Sequence, residues 1–303
     1  VMTEASAVTA DGRISPQDLG IWKDDHIEML ARIFRFIEAQ GAVPAMQLAH
    51  AGRKASTSPP WIGGHPVSEA DGGWRPIFAP TADPFKDGDI VPQELDHASI
   101  QRIVRAFAEA AARALKAGAK IIEVHAAHGY LIHEFLSPLI NKRGDEYGGS
   151  FENRTRIARE VVESVRRVWP DRYPLFVRVS ASDWVEGGWD VEQSAKLAKQ
   201  LKPLGVDLID CSSGGAVPHA KIPIGPGYQV PFAERIRREA GIATAAVGMI
   251  TDPRQAQEII AAGKADMVFM AREFLRHPYW PLNAARELGD EVAAPIQYGR
   301  AFQ

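Results

Sequence analysis

Apolar and polar positions follow two rhythms along this chain. Short apolar runs recur, and most lead into a longer stretch with a helical stripe. Over residues 24–40, Ile27, Leu30, Ile33, Phe34 and Ile37 share one stripe, which predicts an amphipathic helix. Residues 43–48 predict a short buried strand. Residues 98–117 predict a long alanine-rich helix stopped by Gly118. A strand is expected over 120–125, then a helix over 150–169 with Ser150 as N-cap and Asn153 in its first turn. Further strands are expected over 175–179, 207–212, 243–247 and 265–270. The helices expected between and after them span 191–201, 232–240, 253–262 and 278–288. The third of these opens on Pro253, a residue suited to a first helical turn.

Strand and helix alternating this regularly predict a parallel sheet with helical crossovers. Runs such as Ile-Ile-Glu-Val and Met-Val-Phe-Met are apolar at both alternations, as in a strand covered on two faces. Six strands follow residue 43, and residues 1–5 suggest part of another. That is one short of an eight-strand barrel, and a doubly wound sheet is the structural rival. Residues 55–95 break the rhythm. They show neither period, hold many prolines and glycines, and carry Trp61, Trp74 and Phe78. So long an irregular stretch suits a lid or binding loop; the other reading is a tolerated surface insertion.

Composition narrows the class. The 303 residues are 46% hydrophobic, enough for one large core, and 24% charged. A formal net charge of −3 without a basic block gives no reason to expect a nucleic-acid partner. Arg235, Arg237 and Arg238 read as a solvated helix face. Cys211 is the one cysteine, so an internal disulfide and a multi-cysteine metal or iron–sulfur site are excluded. A reducing, cytoplasmic setting is the expectation. No apolar run reaches the length of a membrane span, and residues 1–5 carry no leader or lipidation signal.

Polar and small residues gather after one strand after another, where a parallel barrel keeps its catalytic groups. His125 and His128 are three apart, with Tyr130 two further on. Two imidazoles aimed at one point can stabilise a developing enolate oxygen, and a phenol nearby can deliver a proton. Structural histidines and a metal site, with His133 and Glu134 following, are the other readings. Gly248 after one strand, and Ala271 with Arg272 after the next, suit a barrel phosphate site; a glycine turn with a surface arginine is the alternative. Gln47 and Arg178 end otherwise apolar strands. A glutamine's paired donor and acceptor, with a fixed cation, match the polar edge of a flavin pyrimidine ring, while satisfied strand-end groups explain them equally.

At these residues the sequence resembles the Old Yellow Enzyme family, in particular its bacterial subgroup of xenobiotic reductases and thermophilic-type ene-reductases. The segments carrying the likeness are Glu-Ala-Ser-Ala-Val at 4–8, Gly-Arg-Ile at 12–14, and Gln-Leu-Ala-His-Ala-Gly-Arg-Lys at 47–54. They continue with His-Ala-Ala-His-Gly-Tyr-Leu at 125–131, Asp-Glu-Tyr-Gly-Gly-Ser at 145–150, Asn-Arg at 153–154, Arg-Val-Ser at 178–180 and Gln-Tyr at 297–298. The resemblance implies a (β/α)₈ barrel with non-covalent FMN, and NADPH or NADH as donor, spanning residues 1–303 as one domain with the insertion at about 55–95. It implies that Ala5, Gln47, Arg178, Gly248, Ala271 and Arg272 hold FMN. His125 and His128 bind the substrate oxygen, and Tyr130 is the proton donor.

The implied substrate is a small activated alkene, reduced in a ping-pong reaction, and the implied assembly is a homodimer or homotetramer. In it Arg300 reaches a neighbouring subunit's site. Two departures stand out. The family's first strand and helix are absent, residues 1–5 resembling its second strand, and Ala271 stands where relatives often carry glycine. The family's iron–sulfur branch needs a cysteine cluster that this chain lacks. Rival expectations are a non-redox phosphate-binding barrel enzyme, for which Lys54 is a poor Schiff-base candidate, and an inactive barrel fragment.

Overall fold

The computed structural model describes residues 1–301. Strand β1 (Met2–Ala7) leads to helix α1 (His26–Ala39) and strand β2 (Ala45–Ala49). A long connection holds the two-residue strands β3 (Phe78–Ala79) and β4 (Gln93–Glu94). Then come α2 (His97–Ala117), β5 (Ile121–Ala126), α3 (Leu131–Leu136), α4 (Phe151–Arg154) and α5 (Arg156–Arg166). The order continues with β6 (Leu175–Ser180), α6 (Val191–Leu201), β7 (Leu208–Ser212), α7 (Val230–Ala240) and β8 (Ala243–Val247). It closes with α8 (Pro253–Ala261), β9 (Met267–Phe269), α9 (Arg272–Arg276) and α10 (Trp280–Leu288).

Seven strands pair in parallel in the order β1-β2-β5-β6-β7-β8-β9. The order never reverses, which removes the doubly wound rival, whose strand order switches at its binding crevice. The sheet is curled. Met2 of β1 and Phe269 of β9, from its two ends, join one apolar cluster with Phe176, Leu208 and Ala245. Helices cover the outer face, and the architecture is that of a partial (β/α)₈ barrel.

Side chains alternate along each strand. Ile122, Val124, Val177, Val179, Ile209 and Cys211 point into the main core against the helices. Their neighbours Ile121, Phe176 and Leu208 point inward and plug the base of the barrel. Above this plug the inward row turns polar, and that change places the site. Helix α2 seals the outer layer. Asp96 caps it by accepting from the Ser99 N–H at 2.7 Å, and Ile100, Ile103, Phe107 and Ala111 are fully buried.

Three expectations need correction. The helix expected over 150–169 is broken at Thr155, whose hydroxyl bonds back to the Phe151 carbonyl at 2.9 Å, a contact that competes with helical pairing. Ser150 caps only the first piece. The expected helix over 278–288 is preceded by the short α9. The insertion is better ordered than its composition implied. β3 and β4 pair in parallel, and Ala51, Ala55 and Ile77 form a small core with Ile14, Trp74, Ile90 and Tyr130. Trp74 is half-buried under Arg13, whose guanidinium lies 4.5 Å from its ring, whereas Trp61 is 84% exposed.

The Asp-Glu-Tyr-Gly-Gly-Ser segment braces this insertion. Arg143 pairs with Asp145 and donates to the Pro80 and Leu95 carbonyls at 2.9 and 2.7 Å. Among the described residues, no helix is long and apolar enough to cross a membrane.

Candidate active site

The inward row above the apolar plug consists of Gln47 on β2, Glu123 on β5, Arg178 on β6 and Asp210 on β7. Strand register sets Ala5 beside Gln47, Gln47 beside Glu123, and Arg178 beside Asp210. Gln47 Nε2 donates to Glu123 Oε1 at 2.7 Å, and Arg178 Nε lies 3.0 Å from Asp210 Oδ2. Burial, then repulsion from Asp210, pushes the Glu123 carboxyl up to about 8. Burial raises Asp210 to about 6, the Arg178 charge holding it from rising further. Three inward groups are ionisable, and Arg178 is the one cation among them.

One step further along the strands come the histidines. His125 Nε2 and His128 Nδ1 converge to 3.3 Å, with the rings 5.1 Å apart and edge to face. The Tyr130 ring is 5.2 Å from His125. Burial holds both imidazoles well below their ordinary range, reinforced by Arg178 for His125 and by His125 for His128. They are neutral near pH 7, each with a single N–H, so within the 3.3 Å contact one ring donates and the other accepts. Burial pushes the Tyr130 hydroxyl up to about 12, so it keeps its proton.

His128 has φ of 60°, the left-handed region that a side-chain-bearing residue adopts only when its surroundings enforce it. The surroundings here are explicit. Its N–H donates to Ser180 Oγ at 2.9 Å, and its carbonyl accepts from Lys54 Nζ at 2.8 Å. Ser180 Oγ in turn donates to the Gly214 carbonyl at 2.8 Å, and Lys54 reaches the Gly215 carbonyl at 2.7 Å. The loops after β2, β5 and β7 and the end of β6 are thereby tied into one assembly. Gly129 and Gly215 lie so close that a Cβ on Gly129 would sit 2.0 Å from the Gly215 oxygen. Beneath them, the Gly129 N–H donates to His133 Nδ1 at 2.8 Å, and His133 Nε2 faces Asp183 at 2.9 Å. His133 is therefore a bracing group, and so is Glu134, whose Oε1 accepts the Arg53 N–H at 2.8 Å. Among the described residues, no cluster of His, Cys, Asp or Glu is placed to hold a metal.

His125, His128 and Tyr130 are thus brought together, with Gln47 and Arg178 on the adjoining inward row. Gly248 follows β8 with φ of 121°, and a Cβ there would meet Gln229 Nε2 at 2.8 Å. Ala271 and Arg272, both exposed, follow β9. Arg300 is exposed on the turn Ile296–Ala301, with no hydrogen bond or ion pair to the inward rows among the described residues. Sequence reasoning assigned nothing to Glu123, Asp210, Ser212 or Gln229. Ser212 Oγ lies 2.7 Å from His128 Nε2, and Gln229 Nε2 donates to the Val247 carbonyl at 2.8 Å. The missed signal for the two acids was a lone carboxylate inside an apolar strand run, which burial penalises unless it serves a purpose. Lys54 is pushed down to about 8 by burial, but both its carbonyl partners occupy the nitrogen a Schiff base would need.

The NADH:flavin oxidoreductase / NADH oxidase family matches residues 1–291. An NADPH dehydrogenase of Geobacillus sp. (strain WCH70) is 52% identical over 303 residues, covering 100% of this chain and 84% of that protein. The chain belongs to this family. Among solved structures, an Old Yellow Enzyme homologue from Zymomonas mobilis matches with a TM-score of 0.77 at 26% identity, over 98% of this chain and 81% of that one. Morphinone reductase in complex with tetrahydroNAD matches with a TM-score of 0.76 at 26% identity, over 97% and 79%.

The protein is therefore an NAD(P)H-dependent FMN oxidoreductase of the Old Yellow Enzyme group. The chemistry of its donor set fits the cofactor. An amide and a guanidinium face the same interior, and Arg178 is the partly exposed member of an otherwise buried row. His125 Nδ1 and Glu123 Oε2 are buried polar atoms without a hydrogen-bond partner there.

Proposed function

We propose that this oxidoreductase reduces activated carbon–carbon double bonds of α,β-unsaturated carbonyl or nitro compounds. The observation carrying the proposal is the convergence of two neutral imidazole nitrogens to 3.3 Å beside Tyr130. The chemistry supplied by bound FMN is two-electron transfer, a hydride accepted from the nicotinamide and delivered to the alkene. Gln47 and Arg178 would hold the pyrimidine edge, with the Ala5 backbone beside them. Gly248, Ala271 and Arg272 would hold the phosphate, small residues admitting the anion and Arg272 pairing with it.

His125 and His128 clamp the carbonyl or nitro oxygen of the substrate. Each neutral ring has one N–H to give; a tautomer that turns it from the neighbouring ring to the substrate oxygen donates without an ionic preference, and the bond strengthens as negative charge develops on that oxygen. Tyr130, protonated across the working range, gives its proton to the alkene carbon that does not receive hydride. The ordered insertion packs against Tyr130 through its small core and serves as a lid. In a homo-oligomer, Arg300 adds a cation to the substrate site of the adjoining subunit.

The two half-reactions of Tyr130→Phe test this reading. Reduction of the flavin by NADPH is expected to stay within about 2-fold of the parent. Reoxidation by 2-cyclohexenone or a maleimide is expected to slow by ~10² or more, the usual worth of a positioned proton donor. Stopped-flow absorbance at the flavin band reads both. Equal losses in the two half-reactions, or a protein that cannot be loaded with FMN, would overturn the assignment.

A further inference from the structure

The inward row contains two carboxyls that the proposed chemistry does not use. Glu123 is 1% exposed and Asp210 is 0% exposed, each in the middle of an apolar strand. Isolated carboxyls there carry a desolvation cost of several kcal/mol, so what they touch is informative. Each touches, from the neighbouring strand, one of the two side chains assigned to the cofactor edge. Asp210 Oδ2 lies 3.0 Å from Arg178 Nε as an ion pair without hydrogen-bond geometry, on the side of the guanidinium away from its two terminal nitrogens. Glu123 Oε1 takes Gln47 Nε2 at 2.7 Å.

The second contact carries a chemical consequence. A primary amide rotated by half a turn exchanges its donor and acceptor ends with little change of shape. At an edge that offers both donors and acceptors, as the flavin pyrimidine does, only one of the two orientations makes a matched set. A partner that accepts, and does not donate at that oxygen, selects one orientation. We propose that Glu123 is a positioning residue for the FMN edge: its Oε1 holds the Gln47 amide nitrogen inward, so that the amide oxygen and the second N–H are presented to the cofactor. The inference rests on the assignment of Gln47 to the pyrimidine edge.

The rest of the row fits this role. Arg178 is committed to Asp210, and burial with Asp210 nearby favours the uncharged form of Glu123 near neutral pH. The ionised carboxyl accepts at both oxygens and orients the amide outright; the uncharged one orients it with its proton on Oε2, which leaves Oε1 to accept from Gln47 Nε2. The opposite choice, an amide at position 123, would let either end of Gln47 turn inward.

A double-mutant cycle on FMN affinity tests the proposal, read by quenching of FMN fluorescence as the FMN-free protein is titrated. Glu123→Met is expected to weaken FMN by ~10-fold and Glu123→Gln by ~3-fold, the range of one hydrogen-bond contact. Each loss is expected to shrink to within about 1.5-fold when Gln47→Ala is already present, because a positioning residue has nothing left to position. A bracing role in the fold alone would give the same fold-loss in both backgrounds, and that result would refute the inference. So would unaltered affinity in Glu123→Met. Should Glu123→Met fail to fold by far-ultraviolet circular dichroism, the same comparison with Glu123→Gln decides. A parent chain that takes up no FMN overturns the proposed function and this inference together; uptake with multiplicative losses overturns this inference alone.

Discussion

At the scale of the residue, burial more than pairing sets the charge states around the site, and His50 is the clearest case. It is 1% exposed, its Nδ1 accepts the Gly52 N–H at 3.1 Å, and its Nε2 has no hydrogen-bond partner. Burial pushes it from an ordinary 6.5 to about 4, against a smaller opposing pull from Asp11. The folded state therefore binds this proton less readily than the unfolded chain. The stability tied to a neutral His50 is complete above pH ~6.5 and is lost as pH falls through about 4. The loss is expected to reach at most ~3 kcal/mol, each tenfold weakening of proton affinity being worth about 1.4 kcal/mol. Urea unfolding at pH 4.5, 5.5 and 7 should show a shallower pH slope in His50→Gln than in the parent. Some slope should remain, because His125 and His128 are lowered in the same sense. An unchanged slope would show that His50 is not held neutral. Of the candidate-site residues, His125, His128, Gln47 and Arg178 were legible as polar residues that interrupt or follow an apolar run, although Gln47 and Arg178 lie inside β2 and β6 and not at their ends. Glu123 and Asp210 were not, because their partners lie on neighbouring strands, 76 residues away in the case of Gln47 and Glu123.

At the scale of the element, the site is a set of loops stapled together, and Lys54 is the staple. Its ammonium joins the loop after β2 to the carbonyls of His128 after β5 and Gly215 after β7, and it lies 4.1 Å from the Phe85 ring in the insertion. Lys54→Met removes both hydrogen bonds while keeping the aliphatic stem. Two carbonyls are then left unpaired, which is expected to cost ~2–4 kcal/mol in unfolding free energy. The left-handed His128 loses one of the two contacts that hold it, so KM for the alkene should rise by more than the NADPH half-reaction slows. Thermal melts and steady-state kinetics check both, and a variant as stable as the parent would show that the staple is dispensable. Nothing local marked this lysine as a staple, the sequence offering it only within segment 47–54 and as a poor Schiff-base candidate, whereas the elements themselves were plain. Six of the seven strands of the barrel wall were predicted from apolar runs, β1 being only suggested because it has none, and most helices from their stripes. The failures were at boundaries and breaks: Thr155 splits a stripe that continues through it, and α9 is too short to show a period. The β3–β4 pair was invisible for a different reason, since two-residue strands have no alternation to read.

At the scale of the whole molecule, stability is unevenly spread around the barrel. β5 and β6 each have a strand on both sides and are almost wholly buried. β1 and β9 each pair on one side within the sheet, and β9 holds Met267 at 41% exposure beside half-buried Val268 and Phe269. Strands with few buried contacts open more readily than wholly buried ones. The groups assigned to FMN straddle this gradient. Ala5, Gln47 and Arg178 lie on β1, β2 and β6, while Gly248, Ala271 and Arg272 follow β8 and β9. A ligand held at both places joins the loose side of the barrel to the tight one, and its binding free energy appears as protection of the part that would otherwise open. Hydrogen exchange read by mass spectrometry is therefore expected to be at least ~10-fold faster over 265–271 than over 121–126 before FMN is added. Saturating FMN should slow the first segment by a larger factor than the second, which is already protected by its two neighbouring strands. Equal protection of both segments before FMN would show that the exposure of β9 costs nothing. A slowing confined to 121–126 would place the phosphate elsewhere than at β8 and β9, and would leave the cofactor held from one side of the barrel only.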